Sequence, residues 1–190
     1  MPKLTLCTGN ITNFTGDALI CPCDCALTNH YTSIAKLVLH KGGNDLVQGV
    51  TAIGFGEIGN ALIVKGYKLG VKYVIFLPVK DQEMVIDQVT LHQALRNALT
   101  LAGLHKVRTL AVPMLNPKIT SKVSIFNSLL GLNNRSNLEI LTDDKVLDTI
   151  TAVSRDFERS SLKEISIYRN TKPQNVSDLL ATRGKKIAFG

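Results

Sequence analysis

No stretch of this sequence approaches the roughly 18–20 consecutive apolar residues that a membrane-crossing helix needs, so no membrane partner is expected. The opening residues, Met1-Pro2-Lys3-Leu4-Thr5, lack the apolar core and small-residue cleavage site of a signal peptide, and a cytoplasmic location is the expectation. Cysteine is scarce. Of four, three fall in Cys21-Pro22-Cys23-Asp24-Cys25, a spacing along a strand that does not suit pairing with one another. Nor is it metal spacing, because tetrahedral sites use CxxC or wider pairs with a second, distant pair. The cysteines read as small, buried apolar thiols, and neither a metal nor another cofactor is expected. Charge is also thin, at 19% of residues against 45% apolar, which excludes a disordered chain. The length of 190 residues suits one domain with a real core, expected to be a monomer.

The charge that is present is lopsided. A net +7 favours acidic ligands such as phosphates, nucleic acid or another polyanion. Much of it lies late in the chain, at Arg169, Lys172, Arg183, Lys185 and Lys186. Charge of this kind is more often simply a solvated surface.

Short apolar runs bounded by Gly and Asn predict strands at Leu4–Cys7 and Asp17–Cys21. Ser33–His40 has helical spacing through Ile34, Leu37 and Val38. Ala61–Val64 and Lys72–Leu77 read as buried strands joined by the turn Gly66-Tyr67-Lys68-Leu69-Gly70. The clearest helix runs from Asp87 to Gly103, with Val89, Leu91, Ala94, Leu95, Ala98, Leu99 and Ala102 on one apolar face. Asp87 is its expected N-cap and Gly103 its stop. Thr109–Val112 is a buried strand ending at Pro113, and Ser121–Leu132 looks helical. A second strong helix spans Asp143–Glu158, its acidic start suited to the helix dipole. Ile165–Tyr168 closes as a strand, and everything beyond Asn170 reads as a loosely attached basic tail. Strands alternating with amphipathic helices predict an α/β fold: a three-layer α/β/α sandwich on a mixed, mostly parallel sheet. Ligands of such folds sit at the carboxyl ends of the strands.

Gly54-Phe55-Gly56-Glu57-Ile58-Gly59 spells GxGxxG, the dinucleotide fingerprint. The context opposes that use. Asn60-Ala61-Leu62-Ile63-Val64 reads as a strand, not as a helix whose N-terminus holds a pyrophosphate. No acidic residue follows at the required distance either.

A different set of motifs fits better. Gly9-Asn10-Ile11-Thr12 precedes the strand Asp17-Ala18-Leu19-Ile20. Gly59-Asn60-Ala61-Leu62-Ile63-Val64 runs into Gly66-Tyr67-Lys68-Leu69, then Lys72-Tyr73-Val74-Ile75. A long helix and an Ala111-Val112-Pro113 strand follow from Leu91, and a last helix and strand occupy Asp143 to Tyr168. In this order and spacing the chain resembles the macrodomain family of ADP-ribose-binding modules over most of residues 3–170. The resemblance implies a macrodomain-like domain over 1–170, with an insertion around 116–142, and a basic tail over 171–190.

The resemblance implies roles residue by residue. The family's Gly-Asp-Ile-Thr aspartate accepts a hydrogen bond from the adenine amino group, and the next backbone N–H helps fix the ring; the matching positions are Asn10 and Ile11. Asn keeps a carbonyl acceptor but loses the charge, and Asn10 reads equally well as a residue that shapes the turn after the first strand. Tyr168 falls where the family often places an aromatic beside the adenine, though an aromatic closing a strand is also ordinary core packing. The family's Asn-Ala-Ala-Asn loop falls on Cys21-Pro22-Cys23-Asp24, and its glycine run on about Asn29-His30-Tyr31-Thr32, side chains that crowd a pyrophosphate unless the loop is rebuilt. Asp24 and His30 are left as candidate acid–base groups, and Cys21, Asp24, Thr32 and Ser33 as candidate ligand contacts. The second phosphate loop reads Met114-Leu115-Asn116-Pro117-Lys118-Ile119-Thr120, where Pro117 removes an amide donor and Asn116 and Lys118 are the candidate contacts. The expected function is a non-catalytic or weakly active module that binds ADP-ribose or a related adenine nucleotide. Binding of RNA or poly(ADP-ribose) on the same scaffold and ADP-ribosyl hydrolysis are the alternatives.

Overall fold

A computed structural model of the chain describes residues 1–27, 33–80, 88–114, 143–169 and 187–188. In chain order these form β1 (Lys3–Thr8), a single 3₁₀ turn (Ile11–Asn13), β2 (Gly16–Asp24), α1 (Ser33–Thr51), β3 (Leu62–Lys65), β4 (Val71–Lys80), α2 (Gln88–Leu104), β5 (Thr109–Pro113), α3 (Asp143–Asp156), β6 (Glu164–Arg169) and β7 (Ile187–Ala188). The strands make one sheet in the order β3-β4-β2-β5-β6-β1-β7. The five inner strands are parallel, and the edge strands β3 and β7 run antiparallel to β4 and β1. The expected mixed, mostly parallel sheet is therefore present.

The period-two alternation along each strand sorts the side chains into two cores. Leu19, Cys21, Cys23, Val74 and Phe76 face α1, where they meet Ala35, Val38, Leu39, Leu46 and Val50. Ala18, Ile20, Ile75, Leu77, Leu110, Val112, Ile165 and Ile167 face the other way, against α2 and α3. Each strand buried on both faces reads as a near-continuous apolar run, which is why the inner strands were legible as such.

Several boundaries move for identifiable reasons. β2 continues through the cysteines to Asp24, past the expected end at Cys21. Pro22 interrupts no ladder to β5 there, because that pairing is confined to Ala18 and Leu19. Helix α1 continues beyond His40 to Thr51, with a kink at Gly43 (φ +78°); the second segment is held by burial of Leu46 and Val50. The apolar face of α2 is Leu91, Ala94, Leu95, Ala98, Leu99 and Ala102, but Val89 is 78% exposed and does not belong to it. Gly103 is not the stop. The helix ends one residue later, and Lys106 (φ +54°) makes the left-handed turn. There the Lys106 N–H reaches the Gly103 carbonyl at 3.0 Å and the Val107 N–H the Ala102 carbonyl at 2.9 Å, the paired bonds of a Schellman cap, completed by the burial of Val107.

The expected N-cap Asp87, the expected helix Ser121–Leu132 and the insertion around 116–142 lie outside the described residues. So does most of the basic tail. Its residues Ile187 and Ala188, however, pair with Leu6 and Thr5 of β1, so this part of the chain closes a sheet edge where a loose attachment was expected.

Candidate functional site

Because β1, β2, β5 and β6 are parallel, their carboxyl ends, at Thr8, Asp24, Pro113 and Arg169, lie along one edge of the sheet. The loops that leave this edge are positioned by a rigid platform, the usual place for a ligand in an open α/β sheet.

The chain leaves β1 through Gly9, whose φ of +115° suits glycine alone. Asn10 then caps the 3₁₀ turn. Its Oδ1 accepts the Thr12 N–H at 3.0 Å and the Thr12 hydroxyl at 2.9 Å. Ile11 is buried at 3% exposure in the α1-side core, which anchors the turn from below. Lys41 of α1 anchors it from the side: its Nζ donates to the Thr12 carbonyl and to Asn13 Oδ1, each at 2.8 Å. Of the two readings left open for Asn10, shaping this turn is what the geometry displays. The turn is thus fixed before any ligand arrives.

Tyr168 stands at the end of β6, in register with Cys7 of β1 and Pro113 of β5. Its half-buried ring packs against the α1-side core and meets Phe14 edge to face at 6.2 Å and 75°. Burial is the main reason its phenol is shifted above the usual tyrosine range, with Cys7 adding to it. Tyr168 stays neutral at physiological pH.

Asp24 ends β2 at a bulge and is buried, and its carbonyl accepts the Leu27 N–H at 3.1 Å. The chain turns there through Leu27, a buried leucine at φ +58°, a conformation that costs of order 1–3 kcal/mol for a non-glycine residue. The loop carrying the GxGxxG sequence supports this corner. The Gly56 N–H donates to the Cys25 carbonyl at 2.8 Å, and a Cβ on Gly56 would meet Pro78 at 2.7 Å and Leu27 and Leu62 at 3.0 Å. That glycine serves close packing, and the motif leads into β3, not into a helix.

Cys21 and Cys23 are fully buried in the α1-side core. Burial raises both thiols well above their ordinary value; the neighbouring thiol adds to this at Cys21, and the Asp24 charge adds to it at Cys23. All four cysteines are free, and among the described residues no His, Cys, Asp and Glu group is arranged to hold a metal.

The structure thus brings Asn10, Ile11, Asp24 and Tyr168 to one edge. Cys21 lies three residues short of it with its side chain in the core. Ser33 is the first residue of α1. His30, Thr32, Asn116 and Lys118 lie outside the described residues. Sequence reasoning missed Lys41, whose contact with the turn spans 28 and 29 residues and leaves no local signal. It also missed Phe14, an aromatic directly after the turn.

The family model described as "Macro domain" matches residues 20–121, more than half of the chain. The chain belongs to the macro domain family. Solved macrodomains share its fold. A Trypanosoma brucei macrodomain in complex with ADP-ribose aligns with a TM-score of 0.66 at 16% identity, covering 95% of this chain and 67% of that one. The macro domain of ganglioside induced differentiation associated protein 2 gives 0.66 at 14%, covering 95% and 83%. The Oceanobacillus iheyensis macrodomain with ADP gives 0.66 at 13%, covering 94% and 92%. Against the T. brucei protein in its first crystal form and in its ADP complex, this macro domain spans 63% and 66% of the length. No curated protein sequence matches it.

Proposed function

We propose that this macro domain binds ADP-ribose or a related nucleotide at the carboxyl edge of its sheet, with no catalysis or only weak catalysis. The observation that carries the reading is the turn at Asn10 and Ile11, which is held from three directions and shares its sheet edge with the Tyr168 ring. A rigid turn beside an aromatic suits a base, since little ordering remains to be done on binding. ADP-ribose at millimolar concentration or below raises the melting temperature on this reading; silence from ADP-ribose, adenosine and AMP alike would sink it. Hydrolysis of ADP-ribose from a modified substrate rests on Asp24, and would require that release be abolished by Asp24→Ala. The domain is proposed to act as a cytoplasmic monomer; no helix among the described residues is long and apolar enough to cross a membrane.

A second reading, binding of RNA or poly(ADP-ribose), is favoured by the opposite edge of the sheet. There the strand starts gather Lys3, Lys72, Arg108 and Lys163, all exposed. Backbone bonds from Lys3 to Lys163 and from Lys163 to Arg108, each 2.8 Å, hold three of them together. Cations on adjacent strand starts match a phosphate backbone, and affinity would fall steeply with salt. Charge reversal at Arg108 and Lys163 that left RNA affinity intact would remove this reading.

A further inference from the structure

We infer that the corner formed by Asn10 and Ile11 selects a 6-oxo purine, guanine or hypoxanthine, over adenine. The inference rests on the nucleotide-binding reading of this edge and changes which base it prefers.

The Asn10 amide is already committed. Its single oxygen takes the Thr12 N–H at 3.0 Å and the Thr12 hydroxyl at 2.9 Å. A backbone N–H bonds only to the oxygen end of an amide, so Thr12 fixes which way the side chain is turned. Both acceptor positions of that oxygen are in use, and the Nδ2 end has no acceptor among the described residues. Asn10 is exposed, so those two N–H bonds are available to a ligand.

The next donor is the Ile11 backbone. A short helical turn leaves its first amides without an acceptor inside the turn. Here the Thr12 N–H goes to the cap, and the Asn13 and Phe14 N–H groups go to the Asn10 and Ile11 carbonyls. The Ile11 N–H is the amide left over among the described residues. Two successive residues thus offer donors, while the Asn10 side-chain oxygen has no acceptor position left and the two carbonyls each already accept a bond of the turn. A carboxylate at the same position would hold Thr12 with one oxygen and present the other outward as an acceptor; the amide reverses what the corner offers.

Neighbouring donors call for neighbouring acceptors. The adenine rim runs acceptor, donor, acceptor at N1, N6 and N7, so any adjacent pair sets the N6 amino group against a donor. A 6-oxo purine carries O6 beside N7, both acceptors. Tyr168 leaves this choice to the edge contacts, because stacking on an aromatic ring accepts any base.

Calorimetric titration of the full chain with ADP-ribose and with inosine diphosphate ribose tests this, since the two ligands differ in the base alone. The inosine ligand is expected to bind about tenfold more tightly, the usual consequence of leaving one donor unpaired in a contact. Asn10→Asp, with its fold checked by circular dichroism, is expected to reverse the order. Equal or tighter binding of ADP-ribose by the unmodified chain overturns the base preference and leaves the nucleotide reading standing. Binding of neither ligand overturns both. The comparison on the unmodified chain decides the matter even where Asn10→Asp fails to fold.

Discussion

Asp17 Oδ1 lies 2.7 Å from Lys72 Nζ, so the second residues of β2 and β4 are joined at the amino-terminal edge of the sheet. The other carboxylate oxygen accepts the Arg108 N–H at 2.9 Å and the Thr109 N–H at 3.2 Å, and the Thr109 hydroxyl oxygen in turn accepts the Asp17 N–H at 2.9 Å. One side chain therefore ties three adjacent strand starts. Lys72 is the largest cause holding the Asp17 carboxyl below its ordinary value of 3.8; the two amides add to this and burial opposes it.

Asp17→Ala leaves the Arg108 and Thr109 amides at the start of β5 without their acceptor, and a loss of about 1–3 kcal/mol is expected from urea unfolding at pH 7. The sign with pH follows from the lowered folded-state value. The contribution is fully present above 3.8 and disappears as pH falls through the still lower folded-state value. The gap between the parent and Asp17→Ala should close in acid; a gap that is constant from pH 7 to pH 2.5 would contradict this account. Lys72 is 72% exposed, and its replacement by Ala should have a much smaller effect than loss of Asp17.

Thr5 presents the opposite situation. Its hydroxyl is buried in β1 with no hydrogen-bond partner among the described residues. Thr5→Val keeps the shape, keeps the β-branching and removes the unmet polar group. A gain of about 1 kcal/mol in unfolding free energy is expected, read as a higher denaturation midpoint at unchanged slope. A loss of stability would mean that the hydroxyl is bonded in solution.

Lys41 links binding to the fold. Its bonds to the Thr12 carbonyl and Asn13 Oδ1 brace the turn that carries Asn10, and Lys41→Met keeps most of the apolar stem while removing both. The melting temperature should fall only modestly, whereas nucleotide affinity should fall several-fold, because the turn would have to be ordered by the ligand itself. Unchanged affinity by calorimetry would show that the turn holds its shape without Lys41.

What was legible in the sequence was whatever depends on neighbours along the chain. The inner strands announced themselves as apolar runs, and the face of α2 as Leu91, Ala94, Leu95, Ala98, Leu99 and Ala102. What was not legible depends on partners far away. Helical spacing was read only over Ser33–His40, yet burial of Leu46 and Val50 carries α1 across the kink at Gly43 to Thr51. Val89 fits the helical period but sits where nothing covers it. At the site, the Gly9-Asn10-Ile11-Thr12 motif located the turn, but not that Thr12 consumes the Asn10 oxygen. The braces Lys41 and Phe14 come from contacts that no local pattern encodes.

The cysteines test the placement of β2. Cys21, Cys23 and Cys25 are buried and Cys7 is only partly so. Burial raises the Cys21 and Cys23 thiols well above their usual value, and only the thiolate attacks a disulfide reagent. Both access and ionisation therefore protect them. In the native chain at pH 8, an aromatic disulfide reagent should label Cys7 ahead of the other three, which should react at the rate of unfolding and become equivalent in denaturant. Rapid labelling of Cys21 or Cys23 in the folded chain would require that β2 end before them. In that case the carboxyl edge that Asp24 shares with Asn10 and Tyr168 would not exist as described.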